Sequence, residues 1–452
     1  MLGFLVPHPP LIIPGIGNGD EIPETRRAYK KAASEAEEYR PDTYVVISPH
    51  SVLYSDYIHI SPGDSAEGDF GNFRMGKISF HVEYDNELAA EIARLAAECD
   101  ISAGFEGETD SKLDHGVMVP LRFFDVPKIV RISISGMSFI EHYRFGMCIS
   151  AAAEALDRKI CVIASGDMSH KLKSDGPYGF AKQGPEHDEY IRKCIEASDI
   201  RGLMSVDPIL CEKAAECGTR TIIMMLGAFD GKEVQSELLH YESPYGVGYL
   251  TAAFRADGNA PSLLSDINKD RHEEIIDMRE KEDAYVSLAR NNIENLVSTG
   301  KDVTLPDDLP DELTASRAGV FVTIKKDGEL RGCIGTISPT RKSIADEILG
   351  NSRSAALHDP RFAPVQPKEL DSLTYSVDVL MPPEKIQDEG QLDPSRYGVI
   401  VSCGGRRGLL LPDLDGVDTI GEQVGIALRK GGISRDESYE LERFEVIRHG
   451  QK

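Results

Sequence analysis

The feature that most restricts this chain is a pair of short apolar runs that end alike. Gly3-Phe4-Leu5-Val6 leads into Pro7-His8-Pro9-Pro10, and Thr43-Tyr44-Val45-Val46-Ile47 leads into Ser48-Pro49-His50. Apolar runs of this length bounded by turn residues read as buried strands. Between them, Glu24 to Tyr39 (ETRRAYKKAASEAEEY) reads as a charged surface helix. Strand, helix, strand is a βαβ unit with parallel strands and a right-handed crossover. Each strand then delivers a histidine at its carboxyl end, the edge at which open α/β sheets bind ligands. Two imidazoles meeting there can share one metal ion; two unrelated strand-end histidines are the plainer alternative.

With 452 residues the chain exceeds one ordinary core, so two or more domains are expected. Hydrophobic residues at 41% and charged residues at 28% are globular proportions. A formal net charge of −25 argues against unspecific binding to nucleic acid or to an anionic membrane, since both reward a basic surface. The N-terminus lacks a basic segment followed by a long apolar one, and no apolar run is long enough to span a bilayer, so a cytoplasmic location is expected. The eight cysteines form no Cys-x-x-Cys pair, which speaks against a zinc cluster or a thioredoxin-type motif. They read as reduced thiols, most of them packed in cores.

Along the first half, Asp56 to Ser61 reads as a strand, Gly63 to Gly76 as a glycine-rich loop, and Asp85 to Cys99 as an amphipathic helix capped by Asp85. His115 follows Leu113-Asp114 and precedes Gly116, at an element boundary where the backbone can approach a ligand. Lys128 to Ser133 is a strand, Ser138 to Leu156 a helix, and Lys159 to Ala164 a strand that runs into Ser165-Gly166-Asp167-Met168-Ser169-His170. Asp167 and His170 would face the same opening as His8, His50 and His115, with Asp167 placed either to fix the His170 tautomer or to cap the loop. Glu186 to Ala197 and Pro208 to Gly227 read as helices; Gln235 to Tyr241 and Gly246 to Phe254 read as a strand pair with Glu242 at its corner. Two histidines and one carboxylate with open positions are the facial triad of non-haem Fe(II) oxygenases; plain turn chemistry is the alternative for Glu242.

Met1 to about Ala256 resembles the LigB-type class III extradiol dioxygenases and their Memo-like relatives. The carriers are VPHPP with His8, SPH with His50, DHGVMVPL with His115, SGDMSH with His170 and HYESPYGVGY with Glu242. The resemblance implies an α/β fold with a mainly parallel sheet and a metal site in which His8, His50 and Glu242 bind Fe(II). It also implies that His170 is the acid/base residue and that His115 contacts a small aromatic diol, cleaved with dioxygen. Memo-like relatives carry a cysteine where Glu242 would fall and are not established ring-cleaving enzymes, so Glu242 inclines this reading toward an oxygenase.

Residues 258–270 read as a linker between a domain over 1–257 and a second over 271–452. Glu273 to Ser298 reads as one long helical stretch, Gly319 to Ile324 as a strand, Lys326-Asp327-Gly328 as a hairpin turn and Leu330 to Thr336 as its partner. LRGCIGT resembles the hallmark of the AMMECR-type domain, an α+β unit, and ARNNIENL, AGVFVTI, AALHDPRFAPVQPKEL and YGVIVSCGGRRGLLLP extend the likeness. That likeness implies a radical-SAM protein as partner. Gly332 and Gly335 point to a bulge or a close approach, and on a regular strand Arg331 and Cys333 would share one face, offering an anion grip and a thiol. Three readings stay open: an Fe(II)-dependent extradiol-type dioxygenase, a non-catalytic Memo-like metal-binding scaffold, and a metal-dependent enzyme of another class such as a hydrolase. A homo-oligomer is compatible with each.

Overall fold

The structure is a computed structural model and describes residues 1–16, 21–109, 112–414 and 416–450. The chain divides into two compact units, Met1–Ile267 and Asn268–Lys452. Among the described residues no helix is long and apolar enough to cross a membrane.

The first unit is built on a six-stranded sheet. Its strands are β1 (Leu2–Val6), β2 (Thr43–Ser48), β3 (Ile129–Ser133), β4 (Ile160–Ser165), β5 (Glu233–Glu242) and β6 (Tyr249–Asp257). Their spatial order is β3-β2-β4-β1-β6-β5; the first four run parallel, and β6 and β5 close the far edge antiparallel. Every residue of β1 to β4 is buried, as expected when helices cover both faces of a parallel sheet. Because strand side chains alternate, Leu5, Val45, Ile47, Val130, Val162 and Ala164 enter one core, whereas Phe4, Val6, Tyr44, Val46 and Ile163 enter the other. The helix Asn86–Glu98 is capped by the Asp85 side chain, and Phe139–Ala155 carries a full capping box from Ser138 and Glu141.

Two expectations fail here. The glycine-rich piece taken as a loop is a hairpin, Ser65–Phe70 with Met75–Glu83, whose outward residues are mostly polar or exposed and so gave no apolar alternation. The stretch Pro208 to Gly227 is two helices, Pro208–Ala214 and Thr219–Gly227. Ala215, in the left-handed region at φ 52°, ends the first, and Cys217 and Gly218 lie in the break. A tertiary contact positions that break. A Cβ on Gly166, just past β4, would fall 2.2 Å from the Gly218 Cα, so the two loops touch backbone to backbone.

The second unit holds two four-stranded sheets whose pairings are antiparallel. One has the order Glu329–Gly335, Gly319–Lys326, Leu373–Leu380, Val446–His449; the other Glu384–Ile386, Glu440–Phe444, Gly398–Cys403, Arg406–Leu410. Helices Ala284–Thr299 and Ile344–Leu357 cover the first, and Ile420–Gly431 covers the second. The α+β character matches the expectation, but Glu273 to Ser298 is not one helix. Leu263–Glu280 begins inside the stretch expected to be linker, and a new helix starts at Ala284, where Asp283 caps the amides of Tyr285 and Val286.

Gly166→Ala should destabilise the protein by about 1–3 kcal/mol, the usual cost of overpacking where only backbone can yield. Denaturant unfolding measures it; a change within about 0.5 kcal/mol would mean that the two loops are not in contact.

Candidate metal centre

Strand order brings the histidines together. β1, β4 and β2 are neighbours and parallel, with Val6 beside Ser165 and Ile47 beside Ala164, so their carboxyl ends open on one site. His8 and His50 each stand two residues past their strand. His8 is buried at the floor and His50 is exposed at the mouth. Their Nε2 atoms are 3.0 Å apart. His115 begins the short helix His115–Leu121, its ring 4.2 Å from that of His50 and 5.3 Å from that of His8 between centroids. His170 is half-buried and stacks on Tyr178 at 5.1 Å.

The tautomer of His8 follows from hydrogen-bond accounting. The Ser165 hydroxyl donates its single hydrogen to the Gly116 carbonyl at 2.6 Å, so it can only accept from His8 Nδ1 at 3.0 Å. His8 Nδ1 therefore carries the proton and Nε2 presents a lone pair to His50. Two imidazole nitrogens at 3.0 Å can share one proton or one cation; two bare lone pairs there would repel.

The third group is Cys217. Its Sγ lies 3.6 Å from His8 Nε2 and 3.8 Å from His170 Nε2, and the ligand atoms of His8, His50 and Cys217 all fall within 4.8 Å of one another. Bonds of about 2.1 Å to nitrogen and about 2.3 Å to sulfur, with angles at the ion of about 90–110°, give separations of this size. The residues present fit a first-row divalent ion, with His50 at the mouth leaving room for further ligands. Asp167 supports the arrangement: its Oδ1 accepts from the His8 amide at 2.9 Å, and its own amide donates to Cys217 Sγ at 3.3 Å. Among the described residues Asp167 makes no hydrogen bond to His170, so it positions His8 and Cys217 rather than the His170 tautomer.

Glu242 is not brought to the histidines. Tyr249 of β6 pairs with Glu242 of β5, which places it at the same sheet edge but two strands beyond β1, about 10 Å at the usual strand spacing. Its carboxylate accepts from the amide and hydroxyl of Thr25 at 3.1 and 2.5 Å, satisfying a free amide at the start of the helix Pro23–Tyr39. Most cysteines read as packed thiols and Cys217 is not among the candidate site residues read from the sequence, yet its Sγ stands beside His8 and His170. The signal available in the sequence was a cysteine followed by glycine just before a helix, inside what read as a continuous one.

Burial sets the protonation states. It pulls His8 well below the ordinary histidine range, with His50 adding to the effect; it lowers His50, whose ring is partly desolvated by its neighbours; and it takes His115 to about 3. His170 is lowered by burial against the opposing charge of Asp167. All four are therefore neutral near pH 7, the form that binds metal or accepts a proton. Burial raises Asp167 to about 6 and, with Asp167 and Glu216 adding, pushes the Cys217 thiol well up. Around the mouth, Asp114 caps the His115 helix and accepts from Ser48, Ser51 and the buried Arg131 at 2.7–2.9 Å. Burial alone would raise Asp114, but Arg131 and the two hydroxyls hold it below the usual range. A second grouping, His187, Cys211 and Glu216, is a structural cluster: both His187 nitrogens are engaged, by Asp188 at 3.0 Å and Thr219 at 3.1 Å.

In the second unit, Arg331 and Cys333 do not lie on a regular strand and meet different partners. The register slips between Ile324 and Lys325, which pair with Gly332 and Leu330, so Arg331 is the extra residue of a bulge. Arg331 makes a two-pronged ion pair with Glu369 at 2.9 and 3.0 Å, while Cys333 Sγ accepts from Thr323 at 3.2 Å. Gly332 permits the close approach of the Ala355 carbonyl, 2.4 Å from where a Cβ would stand.

A family model described as the catalytic LigB subunit of aromatic ring-opening dioxygenase matches residues 2–252, more than half of the chain. The chain belongs to the LigB family. An AMMECR1 family model matches residues 286–449, so one chain joins a LigB domain to an AMMECR1 domain. Protein CA_C1420 of Clostridium acetobutylicum is 39% identical over 462 residues, spanning 99% of this chain and 98% of its own. A protein of Thermotoga maritima is 52% identical over 170 residues, 37% of this chain and 98% of its own. Among solved structures, uncharacterized protein PH0010 from Pyrococcus horikoshii is 32% identical over 38% of this chain and 91% of its own, with a TM-score of 0.35.

The LigB centre makes two predictions. Cys217→Ala should lower Fe(II) affinity by more than the roughly 10–100-fold that outer-shell changes cost, whereas Glu242→Gln should leave it unchanged; anaerobic metal titration decides, and the reverse ranking would restore Glu242 as the ligand. Because the Cys217 thiol is raised and must lose its proton to bind, affinity should rise about tenfold per pH unit between pH 6 and 8, with the neutral histidines contributing nothing. Cys217→Ala should flatten that slope.

Proposed function

We propose that the LigB domain is a mononuclear iron-dependent oxidoreductase of the extradiol dioxygenase type, acting on a small aromatic diol with dioxygen. The observation that carries this reading is the convergence of His8 Nε2, His50 Nε2 and Cys217 Sγ beside a neutral His170. Bound there, Fe(II) would supply a Lewis acid and template for both reactants. The rest is done by the chain. His170, neutral and half-buried, takes a phenolic proton and returns it to the product, the work of a general acid/base. Tyr178, stacked on the His170 ring and 60% exposed, fixes that ring and offers a flat wall to an aromatic substrate. His115, neutral beside His50, donates or accepts one hydrogen bond to a substrate oxygen. The AMMECR1 domain, on this reading, serves a radical-SAM partner.

Cys217 favours a second reading. A thiolate in place of the carboxylate is the substitution that marks Memo-like relatives, so a metal-binding protein without ring-opening activity fits the same centre.

Oxygen uptake by iron-loaded protein with a panel of catechols separates the two. The first reading expects uptake with at least one diol, and His170→Ala should keep the iron yet lose roughly 10²–10⁴-fold in turnover. Stoichiometric iron with no uptake on any diol leaves the metal-binding reading; loss of iron in His170→Ala would make His170 a ligand.

A further inference from the structure

Two separate segments of the LigB domain each lay an exposed aromatic ring against a histidine of the metal centre. Phe73 stands at the tip of the hairpin Ser65–Phe70 with Met75–Glu83, and its ring meets that of His115 at 5.9 Å in an edge contact. Tyr178 comes from the loop after His170 and stacks on that histidine at 5.1 Å. The two rings are 36% and 60% exposed, so neither is core packing. Both carriers are pinned. In the hairpin, the Glu67 carbonyl accepts from the Leu113 amide at 2.8 Å, and a Cβ on Gly68 would stand 2.7 Å from both Leu113 Cβ and Met118 Sδ, so the hairpin lies directly on the His115 helix and its approach. Its tip turns through Arg74, in the left-handed region at φ 64°. The Tyr178 loop closes through a bridge between Leu172 and Phe180, and the Leu172 amide donates to the Gly246 carbonyl at 3.1 Å.

Exposed apolar groups gathered in one place mark binding surfaces. Here they are held on fixed supports beside a polar centre. Leu53, three residues past His50, and Tyr245, whose carbonyl lies against Gly176 of the Tyr178 loop, are exposed as well and extend the apolar rim. On the reading given above, a diol directs both oxygens at His8, His50 and Cys217, and the opposite edge of its ring faces outward. His115 adjoins His8 and His50, and His170 adjoins Cys217, so that outward edge passes both ring pairs. An apolar group there would bury surface against Phe73 and Tyr178, whereas a carboxylate would meet the negative faces of aromatic rings. A formal net charge of −25 adds no attraction for an anionic substrate.

We propose that Phe73 is a specificity-determining residue of the LigB domain, and that the substrate is a catechol carrying an apolar group, aryl or branched alkyl, on the edge opposite its two oxygens. Phe73 and Tyr178 form the two walls against which that group lies. The inference rests on the diol reading and narrows its substrate class.

Calorimetric titration of the full-length protein, loaded with Fe(II) and kept without oxygen, tests it with catechol, 4-tert-butylcatechol, biphenyl-3,4-diol and 3,4-dihydroxybenzoate. The two apolar diols should bind at least about tenfold more tightly than catechol, the scale of one aromatic contact with its buried area. The benzoate should bind no more tightly than catechol. Phe73→Ala should reduce the advantage of biphenyl-3,4-diol by about fivefold or more, with iron content unchanged and catechol affinity within about twofold of the parent. Phe73→Tyr, which keeps the ring, should retain the preference. The ranking in the parent decides independently of either variant. Catechol binding without a preference for the apolar diols, tighter binding of 3,4-dihydroxybenzoate, or a preference unchanged in Phe73→Ala would each overturn this proposal and leave the diol reading standing. Binding of none of the four would overturn both.

Discussion

The centre depends on Asp167. Three hydrogen bonds radiate from this one residue: its Oδ1 accepts the His8 amide, its amide donates to Cys217 Sγ, and its carbonyl accepts the Cys217 amide at 3.2 Å. They join the end of β1, the end of β4 and the break between two helices, with 159 residues between His8 and Asp167 and 50 between Asp167 and Cys217. Without the carboxylate the buried His8 amide would lose its acceptor, a penalty of about 1–3 kcal/mol, and the Pro7-His8-Pro9 turn its anchor. The backbone amide aimed at Sγ also favours the thiolate over the thiol, opposing the burial that raises it. The Asp167 carboxylate acts in the other direction, so the residue holds Cys217 in place while its charge favours the protonated thiol.

The other side of the mouth rests on Arg131 and Asp114. Arg131, 2% exposed, donates to Asp114, Ser51 and the Lys112 carbonyl, and Asp114 holds Ser48, Ser51 and the first turn of the His115 helix. A buried pair of this kind contributes little net stability compared with an apolar core, but losing one partner strands a charge at a cost of about 3–5 kcal/mol. Its effect is geometric. The turn carrying His50 and the helix carrying His115 share one carboxylate, so the two rings hold their 4.2 Å spacing as a unit.

Much of this was legible in the sequence, for physical reasons that also mark where legibility stops. His8, His50 and His170 follow apolar strand runs, and parallel topology forces such ends to one edge; His115 instead begins a helix whose cap, Asp114, is tied to Ser48 and Ser51 beside His50. Cys217 gave no comparable sign, because Pro208 to Gly227 has the composition of one helix; the break is imposed from outside, by Gly166 against Gly218, and local propensity cannot report a contact fifty residues away. Glu242 misled for the complementary reason. It lies at the right edge of the sheet, but position along a strand says nothing about how many strands intervene, and β6 stands between it and His8. The hairpin Ser65–Phe70 with Met75–Glu83 escaped notice because its residues lack apolar alternation and its glycines read as turns.

The LRGCIGT strand shows how a motif can be recognised while its chemistry is misplaced. Its alternation would set Arg331 and Cys333 on one face, but the strand bulges at Arg331 and the two side chains meet different partners. Arg331 then spends its guanidinium on Glu369, 9% exposed, whose Oε2 also accepts from the Gln366 amide. Beside it, Asp359 accepts from the Cys333 amide and from Arg361, and Arg361 closes the loop by donating to the Cys333 carbonyl at 2.9 Å. The strand is thereby clasped by two ion pairs from the segments that follow the helix Ile344–Leu357. An incoming anion would have to displace Glu369 from a bidentate contact, exchanging one charge-assisted pair for another with no net gain. The polar side chains of the motif are therefore committed to holding the strand. Among the described residues of the unit, the buried side-chain atoms without a hydrogen-bond partner are the Tyr375 hydroxyl, Arg279 Nε and Gln423 Oε1, in side chains that carry no recognisable pattern in the sequence.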